Sequence, residues 1–266
     1  MAQVLQFKEG APRATVDPGG IVETETSRDI CRSLQLALST RGATMIAGQS
    51  GVGKTTAIKA FCDELTCAQG AHVLRLTITS GMGSPWWVAQ ELLKPWNMDL
   101  RREGGGMDGA FAKLISMMPG NDVQMILVDE AQYLNHRAKR THVRGAAFEW
   151  LRGLSEAAGV ALVFSGDLAL TAGIDLFPQL RSRMVRPVII ERSTPGDVAA
   201  LASSYGITDA VTIKGLTGIA RKAGTLRNVG NVLRMARLFA GDEPVASAHV
   251  AAAALDLKFI WKGGAA

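Results

Sequence analysis

The stretch GQSGVGKT, Gly48 to Thr55, places Gly48, Gly53, Lys54 and Thr55 at the spacing G-x-x-x-x-G-K-[ST], between an apolar run and an amphipathic one. Glycines let successive backbone N–H groups point into one concavity, and a helix beginning at the lysine adds the partial positive charge of its N-terminus. Such a concavity holds phosphate. Lys54 can reach the β- and γ-phosphates of a nucleoside triphosphate, and Thr55 can offer its hydroxyl to Mg²⁺. Gly48, Gln49, Ser50, Gly51, Val52, Gly53, Lys54, Thr55 and Thr56 are therefore the candidate nucleotide-binding residues, with ATP and Mg²⁺ the expected ligands.

Binding a nucleotide is not hydrolysing it, and hydrolysis needs a group that activates water. VQMILVDE, 123 to 130, ends an apolar run in two carboxylates. Asp129 fits the carboxylate that orders Mg²⁺, and Glu130 fits the base that polarises water. A carboxylate pair at a strand end could also cap a helix.

These groups need a frame to hold them. ATMIAG (43 to 48), AHVLRLTI (71 to 78), VQMILVDE (123 to 130) and VALVFSGD (160 to 167) read as short buried strands. A fifth strand fits MVRPVIIE (184 to 191), where Pro187 suggests an edge or an irregular start. Helices fit 27 to 40, from 54 to 66, after Ser84-Pro85, and 145 to 158. The Gly-rich segment RREGGGMDG (101 to 109) reads as a break before a short helix. Apolar strands alternating with helices predict an α/β fold whose parallel sheet is covered on both faces. From Thr194 the strand signal stops, and helices fit roughly 195 to 204, 209 to 222, 225 to 240 and 245 to 260. The expected organisation is an extended arm over 1 to 26, a nucleotide-binding core over 27 to 193 and a helical lid over 194 to 266.

Composition narrows the setting. The chain has 266 residues, 47% of them apolar, and a formal charge of +5. Its three cysteines, Cys31, Cys62 and Cys67, form no C-x-x-C pair, and no N-terminal basic-then-apolar signal segment is present. A cytoplasmic protein with cysteines as core fillers is expected. No run approaches the roughly 18 uninterrupted apolar residues that span a bilayer, so no membrane role is expected.

Taken together, GQSGVGKTT as Walker A and ILVDEAQ as Walker B resemble the AAA+ ATPases. In that resemblance ALVFSGD stands where the family carries sensor 1, LRSRM where it carries an arginine finger, and GTLRNVGNVLRMA where it carries the sensor 2 helix of a C-terminal lid. The fold it implies is a P-loop NTPase with a five-stranded parallel sheet flanked by helices, plus a small all-helical lid. Lys54, Thr55, Asp129 and Glu130 take the roles already read from their types. Ser165 and Asp167 compete for sensor 1, Arg183 best matches the finger with Arg181 second, and Arg227 best matches sensor 2. A cation placed on a departing γ-phosphate stabilises the charge that spreads over its oxygens. If Arg183 comes from a neighbouring subunit, only the assembled form is competent.

Within the superfamily, the short DEAQ form, the compact size and the helical lid are most similar to DNA transposition ATPases of the Mu B, TniB and TnsC type. The Mu B sort also carries an N-terminal DNA-binding helical domain; this chain starts almost directly at the ATPase core, so a separate module of that kind is not expected. The resemblance implies assembly on double-stranded DNA with ATP, as a ring or helical filament of identical subunits, with a transposase as partner. A helicase loader or insertion-sequence helper of the DnaC/IstB type, acting on single-stranded DNA, is the alternative within the superfamily. A P-loop small-molecule kinase would need a substrate pocket and a phosphate-clamping lid in place of the strand-end Asp-Glu pair.

The basic charge is clustered. Between Glu130 and Glu149 there is no carboxylate, while Arg137, Lys139, Arg140 and Arg144 stand with His136 and His142. Between Asp209 and Asp242 there is again none, with Lys214, Arg221, Lys222, Arg227, Arg234 and Arg237 present. Such clusters neutralise DNA phosphates without reading sequence, and Arg137, Lys139, Arg140 and Arg144 are the candidate DNA contacts. The first cluster could equally be a solvated face. Trp86, Trp87 and Trp96 could stack on bases or pack a helix onto the sheet.

Overall fold

The structure, a computed structural model, describes residues 21–103, 106–135, 145–222 and 225–263. The expected DNA contacts Arg137, Lys139, Arg140 and Arg144, with His136 and His142, lie outside the described residues, as does most of the expected arm.

In chain order the regular elements begin with α1 (Glu25–Thr40), β1 (Ala43–Gly48), α2 (Lys54–Gln69), β2 (His72–Thr77) and α3 (Pro85–Leu93). They continue with α4 (Leu100–Glu103), α5 (Gly106–Gly120), β3 (Val123–Asp129), α6 (Ala146–Ala158), β4 (Ala161–Gly166), α7 (Ala169–Asp175), α8 (Pro178–Ser182) and β5 (Val188–Ile190). Four helices close the chain: α9 (Pro195–Ser203), α10 (Ala210–Lys222), α11 (Leu226–Ala240) and α12 (Ser247–Asp256). Short 3-10 turns follow α3 at Lys94–Trp96 and β3 at Ala131–Asn135.

Three local corrections to the sequence reading have physical causes. The glycine-rich segment is not a plain break, since α4 occupies its first residues and α5 starts at Gly106, whose φ of +59° suits a residue without Cβ. The fifth strand shrinks to three residues because Pro187 has no N–H to give to a ladder; only an isolated bridge, Ala43 to Met184, precedes it. Cys62 is buried, and that burial raises its thiol pKa; Cys31 is half-buried and Cys67 exposed, so Cys67 is no core filler.

The strands form one sheet in the order β2-β3-β4-β1-β5, with β5 at an edge. The pairs β1–β4, β2–β3 and β3–β4 are all parallel. Every residue of β1 and of β4 is buried, which is why their sequences, Thr44 and Ser165 apart, run apolar without alternation. The registers Ala47 to Gly166, Phe164 to Val128 and Asp129 to Thr77 align the C-terminal ends of these four strands.

The chain divides into two compact units. One holds Ile30–Gly48 and Ile58–Ile189; the other holds the described residues up to Asp29, Gln49–Ala57 and those from Ile190 onward.

The core of the sheet unit gathers Leu76, Ile126, Val128, Leu162 and Phe164 from the strands with Leu92, Leu114 and Phe148 from α3, α5 and α6. Phe148 meets Phe164 edge-on, with ring centroids 5.2 Å apart. Truncating a fully buried phenylalanine of this kind costs about 3–5 kcal/mol. Trp87 and Trp96 pack against this core, as the packing alternative for the tryptophans holds. Trp86 is exposed, with the Arg101 guanidinium 5.4 Å from its ring centroid.

The second unit has its own core, with Val198, Leu216, Ile219, Val229, Leu233 and Val250 contributed by α9 to α12. Thr194 caps α9 in a capping box with Asp197, and Pro195 occupies the first turn. Asp197 is fully buried and accepts from Thr26 N at 2.9 Å, Thr26 Oγ1 at 2.6 Å and Thr194 N at 2.9 Å. A buried carboxylate is tolerable only with its lone pairs so filled. Among the described residues, no helix is long and apolar enough to cross a membrane.

Candidate phosphate-binding loop and strand-end carboxylates

Gly48 ends β1, buried, and the loop from Gln49 leads into α2 at Lys54. Val52 is 1% exposed and anchors the loop, while Thr55 and Thr56 are exposed at the first turn of α2. Gly51 and Gly53 have φ of +84° and +98°, where a side chain is strained. The Lys54 ammonium folds back on the loop and donates to the Gln49 carbonyl at 2.9 Å. The Gln49 N–H donates to the Ile190 carbonyl at 3.2 Å.

Two further bonds orient the loop. Thr225 Oγ1 donates to the Ser50 carbonyl at 3.0 Å, and Arg227 N donates to the Gly51 carbonyl at 3.1 Å. In a planar trans peptide the carbonyl and the next N–H point opposite ways. Tying those two carbonyls to the start of α11 therefore turns the Gly51 and Val52 N–H groups the other way, side by side. A Cβ added at Gly53 would meet nothing within 4 Å, so the loop is open at that glycine. Adjacent N–H groups, an open glycine and a nearby ammonium together fit a phosphate group.

The start of α11 is itself under strain. Thr225, 2% exposed, has φ +98° and ψ 178°, a conformation that a β-branched residue adopts only when its surroundings impose it. Its hydroxyl bond to Ser50 and the Leu226 N–H donation to Ser193 Oγ at 3.2 Å are part of those surroundings. Arg227 is exposed, with its side chain beside Gly51.

In the sheet unit, Asp129 ends β3 half-buried, and its Oδ1 accepts from Glu130 N at 3.0 Å. Glu130 is exposed and sits at φ +54°, a left-handed step that turns the chain from strand into the 3-10 turn. The bonds of this pair stay local. Their partners lie in the turn itself, where Tyr133 N donates to the Glu130 carbonyl at 3.1 Å and Gln132 Nε2 donates to Glu130 Oε2 at 2.6 Å.

The two sensor 1 candidates are in different situations. Ser165 is fully buried inside β4, and its hydroxyl hydrogen-bonds to no described residue. Asp167 is exposed just beyond β4 and is occupied locally, since its Oδ1 accepts from Ala169 N at 2.9 Å at the start of α7. The Asp167 N–H donates to Gln132 Oε1 at 3.2 Å. Gln132 thus joins the ends of β3 and β4, a role that sequence reasoning did not assign. Only the letter Q in DEAQ hinted at it.

Arg181 lies in the last turn of α8, and Arg183 directly follows the helix. Arg181 pairs with Asp175, and Arg183 Nε lies 3.3 Å from Glu156 Oε1, with 64% of the Arg183 side chain exposed. The Arg183 carbonyl accepts from Ala43 N at 3.3 Å, so its backbone is fixed to the sheet while its side chain faces solvent. In the other basic cluster, Lys214, Arg221, Arg227 and Arg234 are exposed on α10 and α11.

Against this geometry, a family model described as "AAA domain" matches residues 28–171, more than half of the chain. The chain belongs to the AAA domain family. A second model, "Mu B transposition protein, C terminal", matches this AAA protein over residues 182–257. It is 28% identical over 236 residues to "Mu-like prophage FluMu DNA transposition protein B" of Haemophilus influenzae, covering 85% of this chain and 76% of that one. It is 27% identical over 231 residues to "ATP-dependent target DNA activator B" of Escherichia phage Mu, covering 84% and 68%. The resemblance to the Mu B type of AAA+ ATPase therefore holds along most of the chain.

The AAA+ fold is shared with solved structures. The ORC1 protein of Aeropyrum pernix, solved in complex with DNA, aligns with a TM-score of 0.60 at 19% identity. The alignment covers 89% of this chain and 66% of that one, just under two thirds of the ORC1 chain. Cdc6p of Pyrobaculum aerophilum aligns with a TM-score of 0.64 at 16% identity, covering 90% and 69%.

Proposed function

We propose that this chain is an ATP-hydrolysing, DNA-binding regulator of DNA transposition. With ATP it assembles on duplex DNA as a ring or helical filament, recruits and activates a transposase at the target, and leaves on hydrolysis. The observation that carries the reading lies in one unit. The residues that bond to the phosphate loop, Thr225 and Arg227, belong to the segment matched by the Mu B C-terminal model. The loop and the start of α11 are thereby in direct contact, which supports a protein that converts ATP binding into assembly. The relatives' names supply the context, one being a DNA transposition protein and another an ATP-dependent target DNA activator.

In this reading Lys54, the loop N–H groups and Thr56 hold the phosphates. Thr55 and Asp129 would hold Mg²⁺, which supplies positive charge to the phosphate oxygens when bound. Glu130 takes a proton from water as that water attacks the γ-phosphorus and the bond to the β,γ-bridging oxygen breaks, releasing ADP and phosphate; Ser165 or Asp167 senses the γ-phosphate, and Arg227 acts from the lid. Arg183, with Arg181 second, serves a neighbouring subunit's nucleotide. The working boundaries are an arm over 1 to 26, a core over 27 to 193 and a lid over 194 to 266, in a cytoplasmic protein. A head-to-tail contact of this kind closes into rings or runs on as filaments.

The test is electron microscopy of the purified protein with duplex or single-stranded DNA, each with and without a non-hydrolysable ATP analogue. Rings or filaments on duplex only with nucleotide are expected. Assembly on single strands alone would overturn the duplex reading in favour of a helicase loader.

A further inference from the structure

We propose that Gln132 is a positioning residue for the water-activating carboxylate, holding Glu130 through one oxygen and reading the end of β4 through the other end of its amide; this rests on the ATPase reading above. Gln132 is 9% exposed, lies in the 3-10 turn Ala131–Asn135, and has both ends of its amide engaged. The orientation of that amide is fixed by chemistry. The Asp167 backbone N–H can only donate, so the atom facing it, 3.2 Å away, must be the carbonyl oxygen Oε1. The NH₂ end is thereby turned to Glu130 Oε2, at 2.6 Å, where a carboxylate acceptor makes the stronger, charge-assisted kind of bond.

The surrounding backbone leaves room for this arrangement and little else. A Cβ at Gly166 would overlap Gln132 Oε1, so glycine there is what lets the amide reach the β4 end. Glu130 cannot take up slack by sliding along its strand. Its φ of +54°, the bond from Tyr133 N to its carbonyl and its own N–H bond to Asp129 Oδ1 pin its backbone, leaving side-chain torsions as its freedom. The bond to Gln132 removes most of that freedom. Oε2 is occupied, and Oε1 is left to accept the proton from water. A carboxylate aimed in advance spends no reorganisation at the moment of reaction. Because the same amide is held by the residue after β4, movement of the β4 end would turn Gln132 and with it the base.

The experiment compares steady-state ATP hydrolysis, binding of a fluorescent ATP analogue and thermal melting for wild type, Gln132→Ala, Gln132→Glu and Gly166→Ala. Gln132→Ala is expected to lower kcat about tenfold or more while analogue affinity stays within about twofold, the pattern of an interaction that acts on the chemical step. Gln132→Glu, of equal size but with no donor for Glu130, is expected to be at least as slow. Gly166→Ala is expected to lower kcat in the same way. Wild-type kcat in Gln132→Ala, or a loss confined to KM and analogue affinity, would overturn the proposal. Amide hydrogen exchange separates this from failure of the ATPase reading. Glu130→Ala should speed exchange at the Asp167 N–H, because Gln132 loses its anchor; an unchanged rate would overturn the link even in a chain that hydrolyses nothing.

Discussion

Thr225 gives its hydroxyl to the Ser50 carbonyl at 3.0 Å while holding a backbone φ of +98°. A strained residue at the head of one helix thus props the loop at the head of another. Gly51 is the loop's side of that contact, at φ +84°, and a Cβ there would run into Thr225 Oγ1 and Arg227 Cβ. Gly51→Ala should therefore destabilise the chain by about 1–3 kcal/mol and abolish nucleotide binding. Thermal melting and a nucleotide titration check both.

The loop and the strand-end carboxylates should separate cleanly by mutation. Lys54→Ala is expected to abolish ATP binding, since its ammonium lies against the loop on the Gln49 carbonyl. Glu130→Gln is expected to bind ATP with near-normal affinity, to lose hydrolysis by at least about 100-fold, and to stay assembled on DNA. Turnover at the wild-type rate in Glu130→Gln would remove it as the base.

Arg183 is anchored through its backbone to Ala43 and exposed at its side chain, so a neighbour can receive it. Arg183→Ala and Lys54→Ala subunits, each inactive alone, should recover part of the hydrolysis when mixed. Mixed assemblies that form and still hydrolyse nothing would place the stabilising cation elsewhere.

Acid should loosen the helical unit in a defined way. Asp209 has its pKa lowered, first by the Thr212 backbone N–H at 2.7 Å and also by Ser247 Oγ at 2.8 Å. A carboxylate with a depressed folded value contributes stability that is present above its unfolded value and lost as pH falls through the folded one. Melting temperature should drop below about pH 4, and Asp209→Asn should flatten that part of the profile. An unchanged profile would show that the cap of α10 carries no such linkage.

DNA affinity should follow charge. Neutralising Arg137, Lys139, Arg140 and Arg144 together is expected to weaken duplex binding without regard to sequence and to reduce the steepness of its salt dependence. Equal salt slopes for the two proteins would move the DNA contact to another surface.

How much the sequence shows depends on the range of the interactions involved. β1, β3 and β4 could be read almost to the residue because strands buried on both faces need uninterrupted apolar runs. The helices from α9 to α12 could be read because their apolar spacing faces one core. By contrast, α7 and α8 are too short for a period to register, and α4 is hidden beside glycines that favour a break. In the site, the loop and the Asp129-Glu130 pair are contiguous motifs. Gln132 is not, since its second partner is Asp167, 35 residues away, and only the sheet brings them together.

The strand order has a last consequence, for the growing chain. β1 pairs with β4, so Ala43 finds its partner Leu162 only about 120 residues later. At about 5–20 residues per second, a strand destined for full burial waits several seconds or more for its neighbour during synthesis. The strand that launches the phosphate loop is among the earliest made and the latest paired. Any delay in making β4 leaves an unpaired edge of the nascent protein uncovered.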